Sequence, residues 1–252
     1  MAILLIAQLN LFGILINLNL MLNKTLSLLN YCNDAYYISS SSNPSVIKTF
    51  KYSITEGLII ENVNPVSKKK QLVIAISGTK NLKHWFVNSK LHLSSLKKNS
   101  NEKVHSGYLR AAILIYRTLK ELKLLDKKYE SIICCGHSKG GATASILNIL
   151  LVLHYKFSTN HVCFRVASPK IGNIFFFNLE NNLLKSNVIT LYSYVNNLDI
   201  VPKIPFYGYY TNIQTKLSSS LFNLFKSHSL KTYYNILSKN EKTSRASQYS
   251  NL

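Results

Sequence analysis

The sequence predicts an α/β fold in which a mostly parallel central sheet carries helices on both faces. Three observations predict it. Four short apolar runs, "QLVIAIS" (71–77), "SIICC" (131–135), "VCFRVAS" (162–168) and "VITLYSYV" (188–195), lack the polar alternation of a strand with one wet face. Segments of helical period separate them, the alternation that βαβ units require. A serine fenced by glycines, in Gly136-His137-Ser138-Lys139-Gly140, joins the second run to small, helix-compatible residues.

In chain order, "MAILLIAQLNLFGILINLNLMLN" (1–23) is apolar over a length that spans a bilayer, yet lacks a basic start and a small-residue cleavage site. We expect a hydrophobic leader here, either signal peptide or anchor; a buried or membrane-surface helix is the alternative. Next, "TLSLLNYCNDAYY" (25–37) reads as helix and "SSSSNPS" (39–45) as loop. "FKYSIT" (50–55) and "GLIIENV" (57–63) read as a hairpin-like strand pair. Leu109, Ala112, Ile113, Tyr116 and Leu119 recur at helical spacing and predict an amphipathic helix over 107–125. "GATASILNILLVLHY" (141–155) and "GNIFFFNLENNLLK" (172–185) predict two more helices. One domain is expected over 24–238, followed by a polar, disordered tail over 239–252.

The formal net charge of +20 draws a protein towards anionic surfaces, unless it reflects compositional bias alone. Nucleic acid is not expected as a partner, because the basic residues are scattered and form no finger, RRM-like or basic-helix pattern. Of the four cysteines, Cys134, Cys135 and Cys163 sit in the apolar runs as small hydrophobes, and with Cys32 they suit neither a zinc site nor a disulfide framework.

The glycine-fenced serine carries the chemistry. On a turn between strand and helix, Gly136 and Gly140 relieve the crowding that side chains would create, and Ser138 is lifted out at the carboxyl end of the sheet. The helix that follows aims backbone N–H groups at the same point. This is the G-x-S-x-G nucleophile elbow. His137 is read as shaping the elbow rather than taking protons.

A serine nucleophile needs a base and the base an orienting acid, in the chain order Ser, acid, His. After Ser138 the carboxylates are Glu180, Asp199 and Glu241, and the histidines are His154, His161 and His228. No carboxylate separates Ser138 from His154 or His161, which leaves His228. Glu180 falls mid-helix, whereas Asp199 follows a strand, so Asp199 is the expected acid and Glu180→Gln is expected to be close to silent. The Lys139 backbone N–H and Thr79, at the end of the first apolar run, are the expected oxyanion donors. No metal or cofactor is called for. "PFYGYY" (205–210) either lines an acyl groove or closes the core.

The ordered set "ISGT", "KHWFVN", "VHSGYLRA", "GHSKGG", "VASPKIGN", "DIVPKIP" and "HSLKTYY" resembles the class 3, fungal-type lipases of the α/β-hydrolase fold over roughly residues 30–238. The resemblance implies Ser138, Asp199 and His228 as a triad, Thr79 and Lys139 as the oxyanion hole, and a mobile lid around Trp85. It implies a carboxylester hydrolase of triacylglycerol lipase type, working at a lipid–water interface or an anionic membrane surface, secreted or membrane-associated. Phospholipase A1-like activity is the alternative among enzymes, and a non-catalytic lipase-like binding protein the alternative outside them. Departures from the family pattern include Ser77 for Arg, His84 for Asp or Asn, Ala167 for Gly and Ser229 for Asp.

Overall fold

In a computed structural model, the structure describes residues 23–39, 44–79, 92–155, 157–205, 208–212, 215–218 and 224–249. The expected leader, apart from Asn23, and the expected lid residue Trp85 lie outside them. Helix α1 covers 23–34. It is followed by β1 (Val46–Tyr52), β2 (Thr55–Val63) and β3 (Lys70–Ile76), then a small pair, β4 (Leu93–Ser95) and β5 (Lys103–His105). Then come α2 (Ser106–Glu121), β6 (Ser131–His137), α3 (Lys139–His154), β7 (Asn160–Val166), α4 (Ile174–Lys185) and β8 (Ile189–Asn196). The short β9 (Thr215–Leu217), the single-turn α5 (Leu224–Ser227) and α6 (Leu230–Tyr249) close the chain.

The main sheet runs β1-β2-β3-β6-β7-β8-β9. Its first three strands are antiparallel, and from β3 onward every pairing is parallel. The doubly apolar runs explain the layers. Leu72, Ile74, Ile76, Ile132 and Cys134 project to one face, where α2, α3 and α4 pack through Leu109, Ile115, Leu147 and Phe176. Their neighbours Val73, Ala75, Ile133 and Cys135 project to the other, against Leu28, Leu29 and Cys32 of α1 and Tyr233 and Leu237 of α6. A strand with period-two side chains can serve two cores only if both sets are apolar. All four cysteines are buried free thiols within these layers.

Three elements differ from the sequence reading. "FKYSIT" straddles the β1–β2 turn instead of forming a strand, because Ser53 takes a positive φ of 54° and reverses the chain there without a glycine to mark it. Residues 239–249, read as a polar tail, continue α6 as helix to Tyr249. The amphipathic helix over 107–125 ends at Glu121, and a 3-10 turn at Leu124–Asp126 takes over.

Candidate active site

Ser138 stands between β6 and α3, with φ 56° and ψ −131°. That is a region L-residues avoid, and such strain persists only where surrounding structure fixes it. Two glycines make the close crossing possible. A Cβ on Gly136 would lie 2.3 Å from the Gly140 carbonyl carbon, and one on Gly140 would lie 2.1 Å from the Ile76 carbonyl oxygen. The Ser138 backbone N–H donates to the Val166 carbonyl at the end of β7, 2.9 Å away. An ordinary serine at a helix start turns its oxygen back to cap the first amides. Ser138 makes no such bond, so its hydroxyl is not consumed by the helix.

Asp199 and His228 form a buried pair. Asp199 sits just past the end of β8, and its Oδ2 lies 2.7 Å from His228 Nδ1. The same oxygen accepts from the Tyr233 hydroxyl at 2.9 Å, while Oδ1 accepts from the Val201 N–H at 2.9 Å. Facing a carboxylate, Nδ1 carries the imidazole proton, which leaves Nε2 as the basic nitrogen. His228 Nε2 is buried and has no hydrogen-bond partner among the described residues, the Ser138 hydroxyl included. The loop bearing His228 is clamped to that of Asp199: Asn196 Nδ2 donates to the Ser227 carbonyl at 3.1 Å, and the Ser227 hydroxyl donates to the Leu198 carbonyl at 3.0 Å. Tyr233 also accepts from the Asn196 backbone N–H at 2.8 Å. Burial, and then the Asp199 charge, raise its phenol well above the usual value.

His137 joins the two halves. Its Nε2 lies 2.8 Å from the His228 carbonyl oxygen and its Nδ1 2.7 Å from the Tyr36 hydroxyl, and the two imidazole rings are 4.8 Å apart. Burial, and next the neighbouring His228, bring the His137 pKa down to about 3. Gly78 and Thr79 lie alongside, since a Cβ on Gly78 would come within 3.0 Å of Ser138 Cβ. Thr79 Oγ1 is buried and has no partner among the described residues. The backbone N–H of Lys139, in the first turn of α3, has no acceptor within its helix. The Lys139 ammonium runs away from the serine into the β1–β2 turn, donating to the Ile54 carbonyl at 2.6 Å and Thr55 Oγ1 at 3.0 Å. Burial pulls its pKa down to about 8 against the opposing charge of Glu56.

The rejected acid, Glu180, is buried and not simply an outward helix residue. Arg165 Nη1 donates to its Oε1 at 2.9 Å and Nη2 to its Oε2 at 3.2 Å, while Asn212 Nδ2 donates to Oε2 at 2.7 Å. Sequence reasoning missed this pair, and also Tyr36, Asn196 and Tyr233. "HSLKTYY" signals an aromatic near the base but not which tyrosine reaches Asp199, and no local pattern marks Tyr36, which sits 101 positions from its histidine partner.

Residues 73–209 match the family model for lipase (class 3). The chain is 31% identical over 102 residues to Toxin TseL of Vibrio cholerae, covering 40% of this chain and 15% of that protein. It is 25% identical over 141 residues to the secreted mono- and diacylglycerol lipase 1 of Fusarium solani, covering 54% of this chain and 40% of that protein. It thus spans well under half the length of either curated relative. The LIP2 lipase of Yarrowia lipolytica shares the fold, with a TM-score of 0.62 at 20% identity over 79% of each chain. A strand–serine–helix turn between glycines and an acid after β8, within a matched stretch that runs from β3 past β8, lead to one assignment: the chain belongs to the class 3 lipase family.

Proposed function

We propose that the protein is a serine carboxylester hydrolase that cleaves acyl esters of lipids, with Ser138 as nucleophile, His228 as general base and Asp199 as its orienting acid. One observation carries the reading: Ser138 is held in a strained, uncapped turn, while His228 is pinned at Nδ1 by Asp199 and keeps Nε2 without a partner among the described residues. A saturated structural cluster would leave neither group idle.

His228 Nε2 takes the Ser138 hydroxyl proton as the oxygen attacks the ester carbonyl carbon. The carbonyl oxygen becomes an anion, which the Lys139 N–H, the Thr79 N–H and the unpartnered Thr79 hydroxyl stabilise. Collapse breaks the bond to the alcohol, which leaves with the proton from His228. Water then repeats the sequence on the acyl-enzyme, releasing the carboxylic acid and restoring Ser138. Asp199, holding three hydrogen bonds, keeps the imidazole in the tautomer that each proton transfer needs. Apo sites commonly close the serine–imidazole bond only around substrate.

Labelling with a fluorophosphonate probe, followed by hydrolysis of a chain-length series of esters, tests the reading. The parent protein labels and Ser138→Ala does not; labelling of Ser138→Ala at the parental rate would refute it. The charge of +20 and the apolar stretch before Asn23 support action at an anionic lipid surface, by a secreted or membrane-associated protein. Added salt then slows hydrolysis of anionic vesicles and leaves a small soluble ester unaffected, because screening acts beyond about 8 Å at physiological ionic strength. Equal salt dependence for both substrates would reduce the charge to composition.

A further inference from the structure

We infer that Tyr36 and His137 are positioning residues that fix the base, the nucleophile turn and the oxyanion loop relative to one another, an inference that rests on the roles proposed above for Ser138, Thr79 and His228. The His228 carbonyl oxygen only accepts, so the His137 nitrogen 2.8 Å from it, Nε2, must carry a hydrogen. In a neutral ring Nδ1 is then a bare acceptor, and the Tyr36 hydroxyl 2.7 Å away donates to it. The Tyr36 oxygen in turn takes a hydrogen bond from the backbone N–H of Gly78. One chain of donors therefore runs from Gly78 through Tyr36 and His137 to His228.

The chain touches three parts of the proposed site at their backbones. Gly78 precedes Thr79, His137 precedes Ser138, and the last acceptor is the main chain of His228 itself. Each link is between residues distant in sequence: Tyr36 and His137 are 101 positions apart, and His137 and His228 are 91. His137 is buried and Tyr36 half-buried, so water competes little for these bonds. No room exists for a longer residue between them, since a Cβ on Gly78 would meet the Tyr36 oxygen at 2.2 Å. The Asp199 contact fixes the orientation of the His228 ring, and the His137 contact fixes its place along the chain. A base displaced by about 1 Å loses on the order of a hundredfold in rate.

Four variants test this on a small soluble ester: Tyr36→Phe, His137→Leu, His137→Gln and Ser138→Ala. His137→Leu is expected to lower kcat about a hundredfold and Tyr36→Phe about tenfold, each with KM unchanged and the fluorophosphonate labelling rate falling in parallel. His137→Gln places an amide N–H near the position of Nε2 and is expected to recover most of the loss. A merely structural role would lower the folded fraction, and would show neither the kcat-only effect nor the rescue. Ring-nitrogen NMR of the parent provides a readout that needs no variant: His137 is expected as the Nε2–H tautomer with Nδ1 bare. The Nδ1–H tautomer, or parental kcat in folded His137→Leu and Tyr36→Phe, would overturn the proposal. If Ser138→Ala also retained activity, the reading of the site itself would have failed instead.

Discussion

The molecule holds two buried carboxylates beside two buried cationic or basic partners, and they are built to opposite ends. Around Glu180 every strong group is used: Arg165 spends its guanidinium on Glu180, Ser145, Ser193 and the Asn212 carbonyl, and Glu180 takes a further bond from Asn212. Around Asp199 the carboxylate is equally well satisfied, yet the partner is not, because His228 Nε2 has no partner among the described residues. Arginine also has no accessible neutral form, whereas imidazole exchanges a proton near neutrality. A saturated network joins β7, α4 and β8 and holds shape. A network with one idle nitrogen, tied through His137 to the turn that bears the strained Ser138, is the one proposed for reaction.

The largest expected effects break the second network. Ser138→Ala should lower kcat by several orders of magnitude with the melting temperature nearly unchanged, since its hydroxyl caps no helix. Asp199→Asn should cost about 10⁴ in kcat by favouring the wrong imidazole tautomer. Purified, folded Asp199→Asn with near-parental kcat would remove Asp199 from the mechanism.

For Glu180→Gln the structure changes the expectation from near silence. Removing one charge of a buried pair leaves Arg165 uncompensated and should destabilise the fold by roughly 3 kcal/mol. For a chain of this size that is a fall of about 6–12 °C in Tm. The kcat of the folded protein should not move. A lost kcat at unchanged Tm would exchange the roles of the two acids.

The sequence reading of the two acids rested on half of the physical reason. Chain order and the end of a strand single out Asp199. The middle of a helix says only that Glu180 is badly placed for catalysis. It is silent on whether that helix face is wet, and Arg165 inside "VCFRVAS" was the sign that it is not. An arginine in a doubly covered strand demands a buried carboxylate. The apolar strands β3, β6, β7 and β8, the strand–serine–helix turn and the layering were legible, because apolar runs and glycine spacing are local. Tyr36 and Tyr233 were not, because each meets the site across the fold, Tyr36 from the turn after α1 and Tyr233 from α6, where the local pattern reports only apolar packing. β9 is three residues long, too short to carry a pattern of its own.

Acid separates the networks next. His105, His137 and His161 are buried, and burial brings their pKa values to about 4, 3 and 4. Their folded values lie below the unfolded value of about 6.5, so the stability they contribute is present above that pH. It is lost as pH falls towards 4, because the unfolded chain binds protons the folded chain refuses. With three such groups the slope of unfolding free energy approaches roughly 4 kcal/mol per pH unit near pH 5. Urea titrations at pH 7, 6 and 5 measure it. Folded His137→Gln should show about two thirds of the slope, and an unchanged slope would mean that His137 is already charged in the native protein.

The smallest effect concerns strain rather than charge. Ala167, at the end of β7, has a φ of 54°, close to the 56° of Ser138. It is the position where the family pattern has glycine. A left-handed conformation costs an L-residue about 1–2 kcal/mol, which Ala167→Gly would relieve. Against this stand the extra freedom of glycine in the unfolded chain, about 0.5–1 kcal/mol, and the lost burial of one methyl, about 0.8 kcal/mol. The terms nearly cancel, so Ala167→Gly should shift stability by less than about 1 kcal/mol and leave kcat unchanged. Ser138→Gly would relieve the same kind of strain and abolish activity. The strain at Ser138 is therefore tied to its oxygen, while that at Ala167 is tied only to the path of the chain. A loss above about 2 kcal/mol in Ala167→Gly, read from the urea midpoint at constant m-value, would show that the methyl is a packing element of the β7 end and that the two strained residues are held for different reasons.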